Sequence, residues 1–373
     1  MKMKNLSNSL NSEFRKIINK ATEKKELTIQ EGERLLKSTG EELNILIKTA
    51  DRIRKKQVGD IVTYVVNRNI NFTNICENSC KFCAFHRKKN SSDAYILNEN
   101  EVAERTREAV ENGATEICFQ GGLNPALDFK DYLNYLEVIR SVSNDVHIHA
   151  YSPAEIDYMR KKSDLNLEEV ILKLKDAGLN SIPGTAAEIL AKRVRKIICP
   201  KKISVNVWEK IIKTCHRSGI PSSATIMYGH VETDREIASH LAKLREIQKI
   251  TNGFTELVPL AFARQNTELQ NSESLRNLEA MDHLKIHAVA RLMLADYIDN
   301  IQTSWVKLGP ELAKRTLNAG ANDFSGTLME ENITRAAGGD FQRLKPKIIR
   351  DLINQADRIP RERTTTYELV ANH

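Results

Sequence analysis

Three cysteines fall within eight residues, Cys76-Glu-Asn-Ser-Cys80-Lys-Phe-Cys83, directly after an apolar, β-branched run. Thiolates this close on one loop bind soft metals, and their number narrows the choice. A structural zinc site takes four ligands, and His86, three residues past Cys83, would complete a Cys3His set. An ordinary ferredoxin arrangement needs a fourth cysteine. Three thiolates can hold three irons of a cubane 4Fe-4S cluster and leave the fourth iron open to a small molecule. Cys118, Cys199 and Cys215 stand alone. Cys118 falls in an expected strand and Cys215 in an expected helix, where a thiol is a small buried hydrophobe.

Such a loop needs a scaffold, and the texture of the chain supplies one from Val62 onward. Eight short runs read as strands: 63–72, 115–120, 146–151, 179–183, 222–228, 255–262, 300–305 and 321–326. Amphipathic helical runs lie between them. In LEEVILKLKDAG, Leu167, Val170, Ile171, Leu174 and Ala177 keep helical spacing, and Gly178 supplies the stop. Strand–helix alternation implies parallel strands joined by crossover helices. Eight strands predict an α/β fold, a (β/α)8 TIM-type barrel; six strands in an open partial barrel are the alternative. Residues 1–60 read as an N-terminal helical extension, 61–330 as the barrel and 331–373 as a short helical tail packed on it. Chemistry in such barrels gathers at the C-terminal ends of the strands. The unusual residues do follow strands: Asn74 onward after the first, Gln120-Gly121-Gly122 after the second, His149 and Tyr151 closing the third, Gly229-His230 after the fifth.

Composition sets the outer limits. Six cysteines in 373 residues are too few for a disulfide scaffold. No run of about 18 uncharged apolar residues exists to span a membrane, and the basic N-terminus lacks the apolar stretch of a secretory signal, so a cytoplasmic enzyme is expected. Lys plus Arg total 56 against 49 Asp plus Glu, a net charge of +7. The basic residues come as scattered pairs such as Lys88-Lys89 and Lys201-Lys202, not as the single patch of a nucleic-acid binder.

The C-x-x-x-C-x-x-C spacing, with Phe82 before the last cysteine and a barrel strand before the loop, resembles the radical S-adenosylmethionine superfamily. The resemblance implies that Cys76, Cys80 and Cys83 hold one 4Fe-4S cluster, whose open iron is chelated by S-adenosylmethionine. One electron then cleaves the sulfonium to methionine and a 5′-deoxyadenosyl radical. Gln120-Gly121-Gly122 resembles the turn whose glycines let the backbone approach the methionine amino group. Ile226-Met-Tyr-Gly229-His-Val-Glu232 resembles the segment that cradles adenine, and His149 and Tyr151 would reach the ribose or a second substrate.

Further blocks, INFTNIC, FQGGLNP, HIHAYSP, AGLNSIPGTAAEIL, SATIMYGHVET, GFTELVPL and GANDFSGTLMEENI, are similar in this order to the tyrosine-dependent subunits of FO synthase, over about residues 60–340. That branch implies cleavage of L-tyrosine and attachment of its 4-hydroxybenzyl group to 5-amino-6-(D-ribitylamino)uracil, with release of 2-iminoacetate, during deazaflavin biosynthesis. It also implies a reducing electron donor and a second radical subunit, bound stably or transiently, that closes the deazaflavin ring. Several blocks are shared with two radical enzymes of the futalosine route to menaquinone, which is the alternative. Leu257 and Ser325 depart from the pattern, where Phe and Gly are expected. With no second cysteine motif, the fused two-domain version is not expected.

Other polar residues carry two readings each. Arg195 would bind a carboxylate or face solvent from its helix. Asn69, Asn71, Thr73 and Asn74 would read the uracil or fix the cysteine loop. Asp323, Thr327 and Glu330 would contact the ribityl hydroxyls, or Thr327 and Glu330 would form a capping box. Lys81, Arg87, Lys88 and Lys89 would hold an anionic cluster, receive an electron donor, or be solvated loop charge.

Overall fold

The structure, a computed structural model, describes residues 11–339 and 343–371. The parts of the expected N-terminal extension and tail at 1–10, 340–342 and 372–373 lie outside the described residues. Three helices lead in: α1 (Ser12–Thr22), α2 (Ile29–Leu36) and α3 (Gly40–Val58). Two short strands follow, β1 (Ile61–Val65) and β2 (Asn67–Asn71), then α4 (Glu99–Glu111), β3 (Glu116–Gln120), α5 (Phe129–Val142) and β4 (His147–Ala150). The middle holds α6 (Pro153–Lys161), α7 (Leu167–Asp176), α8 (Lys192–Ile198), α9 (Val205–Arg217), β5 (Ser222–Tyr228), α10 (Asp234–Thr251) and β6 (Phe254–Ala261). The last part runs through α11 (Ala280–Leu294), α12 (Trp305–Leu308), α13 (Pro310–Thr316), β7 (Asp323–Gly326), α14 (Asn332–Ala336), α15 (Pro346–Asn354) and β8 (Ile359–Glu362). Among the described residues no helix is long and apolar enough to cross a membrane.

Every strand pairing is parallel, as the alternation requires. The pairing falls into three sheets, β7-β1-β8, β2-β3-β4 and β5-β6, and not into one continuous eight-stranded ladder. Single parallel bridges lie between them: His149 with Ser181, Ile182 with Ser222, Leu257 with Ile301, and Gln302 with Asp323. The expected strands at 179–183 and 300–305 are thus reduced to bridges. Local chemistry explains both. Pro183 has no N–H to extend a ladder, and the Asn180 side chain accepts from Ile148 N at 2.8 Å. At the other segment, Asn322 Oδ1 accepts from Ile301 N at 2.8 Å and Asn300 Nδ2 donates to Thr255 O at 3.0 Å. Side-chain amides here take bonds that backbone would otherwise make. The expected strand 63–72 is likewise divided, into β1 and β2.

Register sorts the side chains. Asn67, Asn69 and Asn71 pair with Glu116, Cys118 and Gln120, and Glu116 and Cys118 pair in turn with His147 and His149. Alternation puts these on one face. Ile70, Ile117, Phe119 and Ile148 fill the opposite face and are fully buried. The polar face is therefore a property of three strands in one register, with the helices on its apolar back.

The tail is not purely helical. After α15 the chain turns back as β8 and lies parallel to β1, Ile61 opposite Ile359. Arg363 then reaches the carboxylate of Asp323, with both side chains almost wholly enclosed, and Thr365 Oγ1 donates to Glu116 Oε2 at 2.8 Å.

Candidate active site

Cys76, Cys80 and Cys83 line one cavity of about 260 Å³, together with Phe82, Gln120, Gly121 and Gly122. The loop that carries them is tied at both ends. Cys76 N donates to Arg87 O and Arg87 N to Asn74 O, at 3.1 and 2.7 Å. Asn74 Nδ2 donates to Asp93 O while its Oδ1 accepts from Tyr95 N. Arg87 caps the carbonyls of Ala84 and His86 and pairs with Asp93. Asn74, Thr73 and Arg87 therefore fix the loop, and Lys88 and Lys89 are exposed.

The three thiols are free and differ in surroundings. Burial pushes the Cys76 and Cys80 thiols up. Burial also opposes ionisation of Cys83, but hydrogen bonds from His86 and from backbone N–H groups hold it below the ordinary thiol range. Among the described residues no three His, Cys, Asp or Glu side chains are gathered closely enough to grip a single metal ion. The donor set of three soft sulfurs around one enclosed space fits a larger inorganic group. Cys199, which reads as isolated in the sequence, lies close enough to Cys80 to repel its thiolate.

The end of β3 presses against this loop. Gly122 N donates to Thr73 O at 2.9 Å. A Cβ on Gly122 would sit 2.1 Å from Ile75 O and 2.9 Å from Cys76 Cβ. Gly121 N donates to Glu155 Oε1 at 3.0 Å. Glu155 is also the N3 partner of Ser152 in the capping box of α6, and burial pushes its carboxyl up to about 7.

Several expected residues lie elsewhere. Tyr151 is outside the cavity lining: its φ of +60° departs from the strand conformation and turns the ring the other way. The ring stacks edge-on against Phe72 and Phe119, and its hydroxyl donates to Tyr132 O at 2.7 Å. His149 lies on the polar face of β4 with Nδ1 2.7 Å from Ser181 Oγ, outside the cavity lining. On β5 the flanking Thr225 and Met227 line the cavity, while the Ile226 side chain is on the other face and fully buried. Gly229 and Glu232 are also outside the lining. Glu232 folds the turn by accepting from Gly229 N at 2.7 Å and His230 N at 2.9 Å. Burial resists its charge, yet the His230 interaction and the backbone donors keep the carboxyl low.

Arg195 is buried and donates to the carbonyls of Ala186, Ala187 and Ile203, which makes it a structural clamp. Asp323 is tied to Arg363, Thr327 Oγ1 donates to Asn67 O, and Glu330 pairs with Arg68. Four charged cavity residues were not among the expected site residues: Glu155, Glu188, Lys202 and Lys307. Lys202 Nζ sits 2.5 Å from Glu188 Oε1 and 5.2 Å from the centre of the Phe82 ring. Lys202 follows a helix, so the strand-end rule does not reach it. Lys307 lies just beyond the seventh expected strand, where that rule would have found it.

Comparison with known proteins adds chemistry to this geometry. Residues 70–244 match the Radical SAM superfamily, and residues 251–372 match the CofH/MqnC C-terminal region. A 5-amino-6-(D-ribitylamino)uracil–L-tyrosine 4-hydroxyphenyl transferase of Methanopyrus kandleri is 49% identical over 327 residues, 87% of this chain and 89% of that protein. One from Archaeoglobus fulgidus is 47% identical over 326 residues, 87% and 93% of the two chains. Among solved structures, methylornithine synthase superposes with a TM-score of 0.72 at 20% identity, covering 92% of this chain and 97% of the other. That likeness concerns the fold.

Proposed function

The chain belongs to the radical S-adenosylmethionine superfamily and, within it, to the 5-amino-6-(D-ribitylamino)uracil–L-tyrosine 4-hydroxyphenyl transferases, and from this premise we propose how its residues serve that reaction. It is an enzyme that cleaves L-tyrosine and transfers the 4-hydroxybenzyl group to 5-amino-6-(D-ribitylamino)uracil, releasing 2-iminoacetate, methionine and 5′-deoxyadenosine. The single observation that carries the site assignment is the convergence of three free thiols and a double-glycine turn on one cavity.

Cys76, Cys80 and Cys83 would hold one 4Fe-4S cluster. When bound, that cluster and S-adenosylmethionine supply a 5′-deoxyadenosyl radical able to take a hydrogen atom from tyrosine. Gly121 and Gly122 keep the end of β3 flat against the cysteine loop, and Glu155 locks the turn by accepting from Gly121 N. Lys202 and Glu188 place a compensated charge pair beside Phe82. Leu260 and Phe262 give the far wall an apolar surface that excludes water, which a carbon radical requires.

With β1 and β2 counted as one strand and β8 as an addition beside β1, the four single bridges support a closed ring of eight parallel segments, in which 181–182 and 301–302 stand where full strands would be. A reducing donor, a second subunit acting on the product, and a cytoplasmic setting belong to the same reading. The test is an anaerobic product assay on the reconstituted protein with tyrosine and the ribitylaminouracil. The expected result is a tyrosine-derived adduct of the uracil formed together with 5′-deoxyadenosine. Deoxyadenosine without any such adduct, or turnover of a futalosine-route substrate in its place, overturns the assignment.

A further inference from the structure

Two lysines line the cavity, and only one is neutralised by its neighbour. Lys202 has Glu188 at 2.5 Å. The Lys307 ammonium makes no hydrogen bond or ion pair among the described residues, although it lines the same enclosed space. The acidic groups that reach it electrostatically are Glu331 and Cys83. Glu331 is already committed: Oε2 accepts from Asn69 Nδ2 at 2.7 Å and Oε1 from Thr334 N at 2.9 Å. Lys307 is half-buried, and with both Glu331 oxygens bonded elsewhere its ammonium keeps its donors free for an anion brought by a ligand.

The position of Lys307 is held firmly. Trp305, two residues earlier, is fully buried and its Nε1 donates to Gly326 O at 2.9 Å, tying α12 to the end of β7. The cavity therefore offers a cation for a carboxylate. Of the two substrates named above, the ribitylaminouracil carries no carboxylate, whereas tyrosine carries one.

We propose that Lys307 binds the carboxylate of L-tyrosine. The inference rests on the functional reading above and adds to it the residue that selects an amino acid over the corresponding amine. Fixing the carboxylate restrains the Cα–Cβ bond relative to the cysteine loop, which is the bond that must break.

The experiment uses reconstituted holoenzyme in three forms: wild type, Lys307→Met and Lys307→Arg. Tyramine, which lacks the carboxylate, is the probe. In Lys307→Met the KM for tyrosine should rise about 10- to 100-fold, the range expected for loss of a charge-assisted bond, with tyrosine brought down to the affinity of tyramine. Lys307→Arg should stay within a few-fold of wild type. Iron content and the change in the cluster's electron paramagnetic resonance signal on adding S-adenosylmethionine should be unaltered in both variants. An unchanged tyrosine KM in Lys307→Met overturns the proposal and leaves the transferase reading intact. An altered resonance signal with a normal tyrosine KM overturns it in favour of a role at the cluster. A wild-type enzyme that forms no tyrosine adduct overturns both. If Lys307→Met does not load iron, wild type decides alone: tyramine competing with tyrosine on equal terms overturns the proposal.

Discussion

Replacing Gly122 by Ala tests whether the end of β3 sets the geometry of the cysteine loop. The added Cβ would stand 2.1 Å from Ile75 O, where ordinary contact begins at 3.4 Å. Both sides of that clash are backbone, so relief requires the β3 end and the Ile75–Cys76 segment to part by more than an ångström. Metal ligation tolerates departures of only about 0.2 Å in ligand distance. Cys76 Cβ is itself one of the atoms struck, at 2.9 Å. Overpacking of this kind costs about 1–3 kcal/mol, which a chain this large survives. The expected outcome is a folded protein that loads a minor fraction of the wild-type iron and sulfide after anaerobic reconstitution. Gly121→Ala is the comparison. Its Cβ would meet ring atoms of Phe72 first, at 2.6 to 2.8 Å, and a side-chain ring can tilt where a peptide cannot. Iron per chain, far-ultraviolet circular dichroism and the thermal midpoint decide it. Full iron loading in Gly122→Ala, or a greater loss in Gly121→Ala, would refute the reasoning.

The remaining predictions use the buried polar groups and the thiols. Cys76→Ala, Cys80→Ala and Cys83→Ala should each abolish 5′-deoxyadenosine formation, while Cys215→Ala, in the packed core of α9, should keep turnover and lose about 1 kcal/mol of stability; full turnover in Cys80→Ala would sink the cluster assignment. Arg363→Ala leaves the Asp323 carboxylate buried without its counter-charge, held only by Thr63 Oγ1 and Ser325 N, and urea melts should show a loss of about 3–5 kcal/mol. Burial pushes the Glu256 carboxyl from 4.5 up to about 7, with Arg363 pulling the other way. The folded state then keeps a proton that the unfolded chain has released. This contribution is fully present below about pH 4.5 and is lost as pH rises to about 7. Glu256→Gln removes the titration, so wild type should lose up to about 3 kcal/mol relative to the variant across that window, and a pH-independent difference in urea melts would count against it.

The alternation of strands and helices was legible because its causes are local. Capping boxes such as Asn98 with Glu101 and Asn166 with Glu169 start helices where the sequence pattern starts them. Strand lengths were less legible, because they depend on competition for backbone groups from distant residues. Nothing around Ile301 reveals that Asn322, some twenty positions on, takes its N–H. The return of the tail as β8 was hidden for a related reason. Ile359–Glu362 has no period-two apolar pattern, and its residues are half-buried or exposed. What draws it back is β1 and, just beyond it, Arg363 on Asp323, a pairing across 40 residues that only the folded chain exposes.

The site shows where a strand-end rule works and where it fails. It works when a residue's direction follows from its parity in the strand, as for Asn69, Cys118 and His149, which share one face by register. It fails when the backbone leaves the β region. Tyr151 is odd-numbered like His149, so parity aims it inward; its left-handed φ of +60° sends it to the aromatic cluster behind the sheet. On β5, parity aims Ile226 outward and Thr225 and Met227 inward, and the similarity of a whole block hides which of its residues faces the ligand. Similar blocks therefore locate a site to within a strand end. Which side chain acts there is settled by parity, positive φ and the partners already taken. By that last measure Glu232, Arg195 and Glu330 are occupied in holding the structure, and Lys307 is left with its charge to spend on a ligand.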